Sequence, residues 1–302
     1  MSPFVTVIIP VFNDAQGLQR CLTVLEQQTY AHDRYEVVVV DNGSDSEPAI
    51  STVVNQFKRA IVVHELQPGS YAARNRGIES ANGEVIAFTD ADCVPTPTWL
   101  ETGVKTLLSL PNIGLVAGRV DIFFKDANQP TAIELYESIT AFPQAQLLED
   151  HKGAATANLF TWKAVFDSVG RFNANLKARG DLEWGKRVFL AGYVQVYAED
   201  VCVHHPARQS FDQLYRRTIR MAGGIYDLQN QQQSFFTRNF AFFKGLMLDL
   251  VPPLMFVMNT FQDSRLQRID QKVKVSFVMF FVRYITAWEK FRLKAGAISA
   301  RE

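Results

Sequence analysis

"VTVIIPVFNDAQGLQRCLTVL", Val5 to Leu25, is the stretch that decides the fold. Its first six residues, Val5 to Pro10, are a mainly β-branched run of the kind found in strands covered on both faces. The second half places Leu18, Leu22 and Leu25 on one side of a helix. A buried strand turning into an amphipathic helix is half of a βαβ unit, and the pattern recurs. "EVVVVD" (Glu36 to Asp41) is followed by the turn "NGSDSEP" and then by Ile50, Val53, Val54 and Phe57 at helical spacing. "AIVVHE" (Ala60 to Glu65) precedes a helical segment from Ala72 to Ala81. "EVIAFTD" (Glu84 to Asp90) precedes a helix from Trp99 to Leu110, and "IGLVAG" (Ile113 to Gly118) supplies a fifth strand. The pattern predicts a Rossmann-like α/β fold, a mostly parallel sheet with helices on both faces.

The alternation ends near residue 120. "HKGAATANLFTWKAVFDSVGRF" (His151 to Phe172) reads as a small-residue loop and a helix, and "RGDLEWGKRVFLAGYVQVYAED" (Arg179 to Asp200) as a helix entering a strand. From about residue 210 the chain reads as helical. Two parts are therefore expected, an α/β body over 1–212 and a helical extension over 213–302.

Charge separates the same two parts. Residues 1–213 carry 17 Lys and Arg against 25 Asp and Glu, whereas 214–302 carry 14 against 6 and hold 11 of the 23 phenylalanines. A basic, Phe-rich extension on an acidic body points to an anionic membrane surface. The competing reading is packing on the body or a homodimer interface, and no nucleic-acid partner is expected. No segment reaches the roughly 20 apolar residues that span a bilayer; the nearest, Gly245 to Met258, is cut by Asp249 and Pro252-Pro253. Three scattered cysteines, Cys21, Cys93 and Cys202, lack metal-ligand spacing and fit a reducing compartment. The expected location is cytoplasmic, lying on a membrane rather than crossing it.

In a parallel sheet, ligands bind beyond the carboxyl ends of the strands. Asn13 and Asp14 follow the first strand, Asp41 ends the second, and Asp90 and Asp92 end the fourth, so all should line one crevice. On extended chain Asp90 and Asp92 would share a face about 7 Å apart and repel by about 0.5 kcal/mol in water. A divalent cation with a taste for oxygen, Mg2+ or Mn2+, would relieve that repulsion and could bridge a diphosphate; two solubilising acids in a turn are the bland alternative. "PGSYAARNRGI" (Pro68 to Ile78) carries Arg74 and Arg76 on a short helix, either for an anionic ligand or to close a salt bridge to the acidic crevice. In "RGDLEWGKR", Asp181 is a helix cap or a general base, with Trp184 on its face. In "VCVHHPARQS", one of His204 and His205 can face inward as a nitrogen ligand, with Arg208 as a phosphate contact. Neither G-x-G-x-x-G nor G-K-[ST] occurs, which argues against dinucleotide oxidoreductases and P-loop enzymes.

Taken in order, "VTVIIPVFN", "VVVVDNGSDS", "GSYAARNRGIESANGEVIAFTDADCVP" and "RGDLEWGKRVFLAGY" resemble the inverting glycosyltransferases of family 2, which have the GT-A fold, over roughly residues 4–210. The resemblance implies a nucleotide-sugar pocket bordered by Pro10, Phe12, Asn13, Asp41, Arg74, Asp90 and Ala91. Phe12 stands where the family more often has Tyr, and Asp41 would bind uracil. It implies Mn2+ or Mg2+ at Asp92 with His205, Asp90 serving the ribose or the metal's outer shell, and Asp181 as catalytic base. Gly180 stands where a Glu is usual. Asn158, Glu183 and Trp184 would lie on the acceptor side. The implied reaction moves a sugar from a nucleotide donor, UDP-linked as is most common in the family, to a hydroxyl of a glycan or lipid-linked acceptor, as in exopolysaccharide or envelope synthesis. A nucleotidyltransferase making sugar nucleotides would need a Gly-rich, basic first loop, which "PVFNDAQG" lacks. A non-catalytic glycan-binding protein on the same fold would have no use for the acids at 90, 92 and 181.

Overall fold

A computed structural model describes residues 2–45, 47–232 and 235–300, with side chains outside 229–238 and 241. Strands β1 (Val5–Val11), β2 (Tyr35–Asp41), β3 (Ala60–His64) and β4 (Val85–Thr89) alternate with helices α1 (Ala15–Leu25), α2 (Ile50–Val54) and α3 (Ser70–Ser80). A short β5 (Val94–Pro95) and α4 (Trp99–Leu107) lead to β6 (Ile113–Phe123). Helices α5 (Ala132–Thr140) and α6 (Gln144–His151) precede β7 (Asn158–Trp162), α7 (Lys163–Val169), α8 (Gly180–Leu190) and β8 (Val194–Pro206). The C-terminal helices are α9 (Phe211–Gln232), α10 (Phe235–Leu250), α11 (Leu254–Gln262) and α12 (Ile269–Lys294).

Among the described residues the strands form one sheet in the order β3-β2-β1-β4-β7-β6-β8-β5. β1 pairs in parallel with β2 and β4, and β2 with β3, as the β-branched runs predict. β7 runs antiparallel to β4 and β6, and β5 antiparallel to β8. The parallel pairs thus lie among β1 to β4, whereas β6, the fifth strand of the alternation, pairs antiparallel with β7. β7, "NLFTW", lies inside the stretch expected to be loop and helix: five residues with two polar side chains carry too little periodicity to declare a strand.

The chain divides into two compact units. The first comprises Met1–Asp121, Phe142–Asn175 and Gly180–His205. Its core joins Val5, Val7 and Ile9 of β1 to Leu18, Leu22 and Leu25 of α1, and continues through Trp99, Leu100 and Phe160. The second comprises Ile122–Ala141, Leu176–Arg179 and Pro206–Glu302, so it draws on segments well before residue 212. Its core sets Ile133, Leu135 and Tyr136 of α5 against Leu214 of α9 and Val275 and Val278 of α12. Helix α5 opens with a capping box in which Thr131 and Glu134 satisfy each other's backbone N–H.

Candidate active site

Strand β4 delivers the acidic pair to a turn, closed by the Cys93 N–H donating to the Asp90 carbonyl at 3.1 Å. The pair is therefore not on extended chain, and the two carboxylates part company. Asp90 Oδ1 accepts from Arg74 Nη2 at 2.6 Å, with the Arg74 side chain only 6% exposed. Asp92 Oδ2 lies 3.4 Å from His205 Nε2. Arg74 closes a salt bridge within the acidic crevice, one of the two readings its sequence allowed. Ala91, between the acids, is buried.

The choice between the adjacent histidines follows from strand alternation. His205 is buried, with its ring 4.8 Å from that of Phe142. His204 falls on the other face of β8 with Cys202, and their ligand atoms lie within 4.8 Å of each other and of Asp121. There the Cys202 thiol donates to Asp121 Oδ2 at 3.5 Å, and burial, then the Asp121 charge, push it up to about 11. Arg119 Nη2 already offsets that carboxylate at 3.5 Å. Arg208 does not reach for phosphate: Nη1 contacts both oxygens of buried Glu137, at 2.8 and 3.1 Å.

The β1–β2 register sets Val11 opposite Asp41 and so gathers the first two strand ends. Asp41 is buried; its Oδ1 accepts from the Ser44 N–H at 2.9 Å, and Oδ2 lies 3.5 Å from His64 Nδ1. Asn13 adopts a left-handed φ of 52°, which asparagine tolerates better than most residues. From there its N–H donates to Ser44 Oγ and its Oδ1 accepts from the Asp45 N–H, both at 2.9 Å. Phe12 is exposed beside it, and Pro10 is half-buried within β1. Asp14 instead caps α1 by accepting from the Gly17 N–H at 2.9 Å.

Asp181 sits in the first turn of α8. Its Oδ1 accepts from Tyr71 Oη at 3.1 Å and from the Leu182 N–H at 3.0 Å, and Oδ2 from the Thr156 N–H at 3.4 Å. Burial lifts this carboxyl above the usual aspartate range, although Arg74, the Leu182 N–H, Tyr71 and the Thr156 N–H all pull it down. Tyr71 and Thr156 were not found from the sequence. Tyr71 is 110 residues from Asp181 along the chain, and no local pattern connects them.

Two of the residues expected on the acceptor side are buried. Asn158 is fully buried: Nδ2 donates to the carbonyls of Arg119 and Val201 at 2.8 and 2.9 Å, and Oδ1 accepts from Trp99 Nε1 at 2.9 Å. Its amide is thereby committed to tying β6, β7, β8 and α4 together. Trp184 is also fully buried, stacked on Phe166 at 4.7 Å with its indole N–H donating to the Gly170 carbonyl at 3.0 Å. Helical spacing places a residue on a face but does not say whether that face meets core or crevice. Glu183 is half-buried and holds Arg187 one turn on through Nε at 2.9 Å and Nη2 at 3.1 Å.

Residues 6–170 match the family model described as glycosyl transferase family 2. Over 292 residues the chain is 38% identical to glycosyltransferase AglE of Haloferax volcanii, covering 95% of this chain and 92% of that protein. The chain belongs to glycosyltransferase family 2. The enzyme is also 28% identical over 209 residues to the pre-mycofactocin glycosyltransferase of Mycobacterium tuberculosis, covering 68% of this chain and 43% of that protein. Mannosyltransferase PcManGT of Pyrobaculum calidifontis, solved with GDP-Man and Mn2+, superposes with a TM-score of 0.64 at 17% identity, over 98% of this chain and 89% of that one. The glycosyltransferase thus has a GT-A-type α/β fold with C-terminal helices.

Proposed function

We propose that this glycosyltransferase is metal-dependent and inverting, and that it moves a sugar from a nucleotide donor, UDP-linked in the first instance, to a hydroxyl of a glycan or lipid-linked acceptor. The observation that carries the reading is the Asp92–His205 pair, an oxygen and a nitrogen donor 3.4 Å apart just beyond β4. Carboxylate and imidazole suit Mn2+, and carboxylate alone suits Mg2+. Asp92 and His205 would hold the ion, which supplies positive charge to the diphosphate as it leaves. Phe12 and Asp41 would receive the base, and Asp90, fixed by Arg74, would meet the ribose. Asp181 would take the acceptor hydroxyl's proton while that oxygen attacks the anomeric carbon opposite the leaving group, which inverts configuration.

A panel of UDP- and GDP-sugars with Mn2+, read by thermal shift and by released nucleoside diphosphate, tests this reading. One donor should give both signals, and chelation with EDTA or Asp92→Asn should abolish turnover. Undiminished release in EDTA would overturn the metal dependence.

Lipid-linked acceptors suit the second unit. Phe243, Met247, Leu254, Met255, Phe277 and Trp288 are all exposed on α10, α11 and α12, and Lys272, Lys274 and Arg268 accompany them in the sequence. Isolated exposed apolar residues are ordinary, but so many on three successive helices support the reading of an interaction surface. Among the described residues no single helix is long and apolar enough to cross a membrane. Phe242–Leu250 and Leu254–Gln262 meet that test only as a pair, bent by 53°. The full chain should float with phosphatidylcholine vesicles containing phosphatidylglycerol. A Phe243, Met247, Leu254 and Met255 to serine variant should not. Flotation of neither protein, together with a concentration-dependent dimer lost in the variant, would assign the surface to a homodimer instead.

A further inference from the structure

The departure at Gly180 has a physical counterpart at Tyr71, far earlier in the chain. A Cβ built on Gly180 would lie 2.8, 2.9 and 3.0 Å from Cε2, Cδ2 and Cζ of Tyr71. Real Cβ atoms rarely approach an aromatic ring that closely, and this ring is buried. Its other neighbours are the Phe172 ring, with centroids 5.8 Å apart, and the Arg74 guanidinium, 5.8 Å from the Tyr71 centroid. Any side chain at 180, a glutamate included, would displace Tyr71. With glycine there, the buried phenol reaches Asp181 Oδ1.

We propose that Tyr71 is the positioning residue of the catalytic base: its O–H fixes Oδ1 of Asp181 so that Oδ2 faces the acceptor hydroxyl, and Gly180 is the space that admits it. The proposal rests on Asp181 being the base, as set out above. The two oxygens are unequal. Oδ1 has two donors, Tyr71 and the Leu182 N–H, whereas Oδ2 has one long contact, the Thr156 N–H at 3.4 Å. A carboxylate oxygen already accepting two hydrogen bonds is the poorer proton acceptor, so Oδ2 takes the proton. Tyr71 itself stays protonated, because burial and the neighbouring Asp181 charge push its phenol far above its ordinary value. The groups facing the Asp181 carboxyl are Arg74 and Tyr71 from α3, the Thr156 N–H before β7, and the Leu182 N–H of its own helix.

Tyr71→Phe keeps the ring and removes only the donor. One contact that holds the Asp181 carboxyl down is then lost, so its titration moves up. A base works only when deprotonated, so the acid limb of the rate profile should also move up, by about one pH unit. On the plateau, kcat should fall by about tenfold with the donor KM unchanged, since an ill-aimed base affects the transition state and not donor binding. Gly180→Ala should give the same phenotype with the phenol present, and Gly180→Ala with Tyr71→Phe should be no worse than Gly180→Ala alone.

The readouts are carbon NMR titration of 13Cγ-labelled aspartate, with Asp181→Asn assigning the resonance, turnover of the donor found in the panel, and calorimetric binding of UDP and GDP with Mn2+. Tyr71→Phe with wild-type nucleotide binding, a raised Asp181 titration and lowered kcat supports the role. An unmoved titration and acid limb would overturn it. Asp181→Asn separates the two layers: full turnover in that variant removes the base assignment and this proposal with it. An inactive Asp181→Asn beside a wild-type Tyr71→Phe removes the positioning role alone.

Discussion

Asp181→Asn is expected to lower sugar transfer by about 10³-fold, equivalent to about 4 kcal/mol of transition-state stabilisation. Asparagine is nearly isosteric, and its carbonyl oxygen can still accept from Tyr71 and the Leu182 N–H, so the start of α8 should keep its conformation. What disappears is the proton acceptor. Nucleotide binding should persist, because the residues proposed for it, Asp41, Asp90 and Asp92, lie at the ends of β2 and β4 and not on α8. Initial rates of nucleoside diphosphate release, beside calorimetric nucleotide binding, check both halves of the expectation. Activity within tenfold of wild type would show that another group takes the proton. The wild-type profile has a definite sign. Burial raises the Asp181 carboxyl above its unfolded value, so activity should be lost as pH falls through that raised value, at higher pH than for an exposed aspartate. The same carboxylate is costly to the fold at neutral pH: a group raised in the folded state contributes stability on its protonated side, below the raised value.

The sheet and the site were legible in the sequence to different depths, for different reasons. Strands β1, β2 and β4 are near-continuous apolar runs buried along almost their whole length, the edge strand β3 repeats the pattern while half-exposed, and their order fixes the crevice. β7 and α5 lack that signal. α5 did have another, the T-x-x-E capping box at Thr131 and Glu134, which marks a helix start without any help from periodicity. Within the site, the ends of β1, β2 and β4 follow from chain order alone. The contacts of Asp90 with Arg74 and of Asp181 with Tyr71 depend on how α3 is rotated against the sheet, which no local pattern records. Trp184 and Asn158 show the same limit from the other side. Both adjoin or share elements with site residues, yet the packing turns them inward, where the indole and the amide satisfy buried carbonyls and each is more useful to the core.

The second unit has a comparable dependence on one buried acid, and Glu137→Ala is expected to cost about 3–5 kcal/mol. Glu137 lies on α5 with 1% of its side chain exposed. Its oxygens accept from Arg208 Nη1 at 2.8 and 3.1 Å and from the Arg208 N–H at 3.0 Å, and Arg217 Nε of α9 lies 4.0 Å away. One carboxylate therefore serves two guanidinium groups. Burial and the repulsion of Arg208 already lower the Arg217 pKa, and Glu137 acts against them. Alanine at 137 would leave the two half-buried cations facing each other without their shared counter-charge. A loss of that size should lower the melting temperature of this unit by roughly 10 °C or more, visible in calorimetry as a transition separating from that of the α/β unit. Glu137→Gln should lie between, since the amide can still accept a hydrogen bond but no longer offsets charge. Replacing Glu137, Arg208 and Arg217 together by methionine should recover most of the lost stability, because a buried ionic cluster is often matched by apolar side chains of similar volume. If Glu137→Ala melts within about 2 °C of wild type, the two arginines have found water, and the cluster contributes little to holding α5 and α9 together.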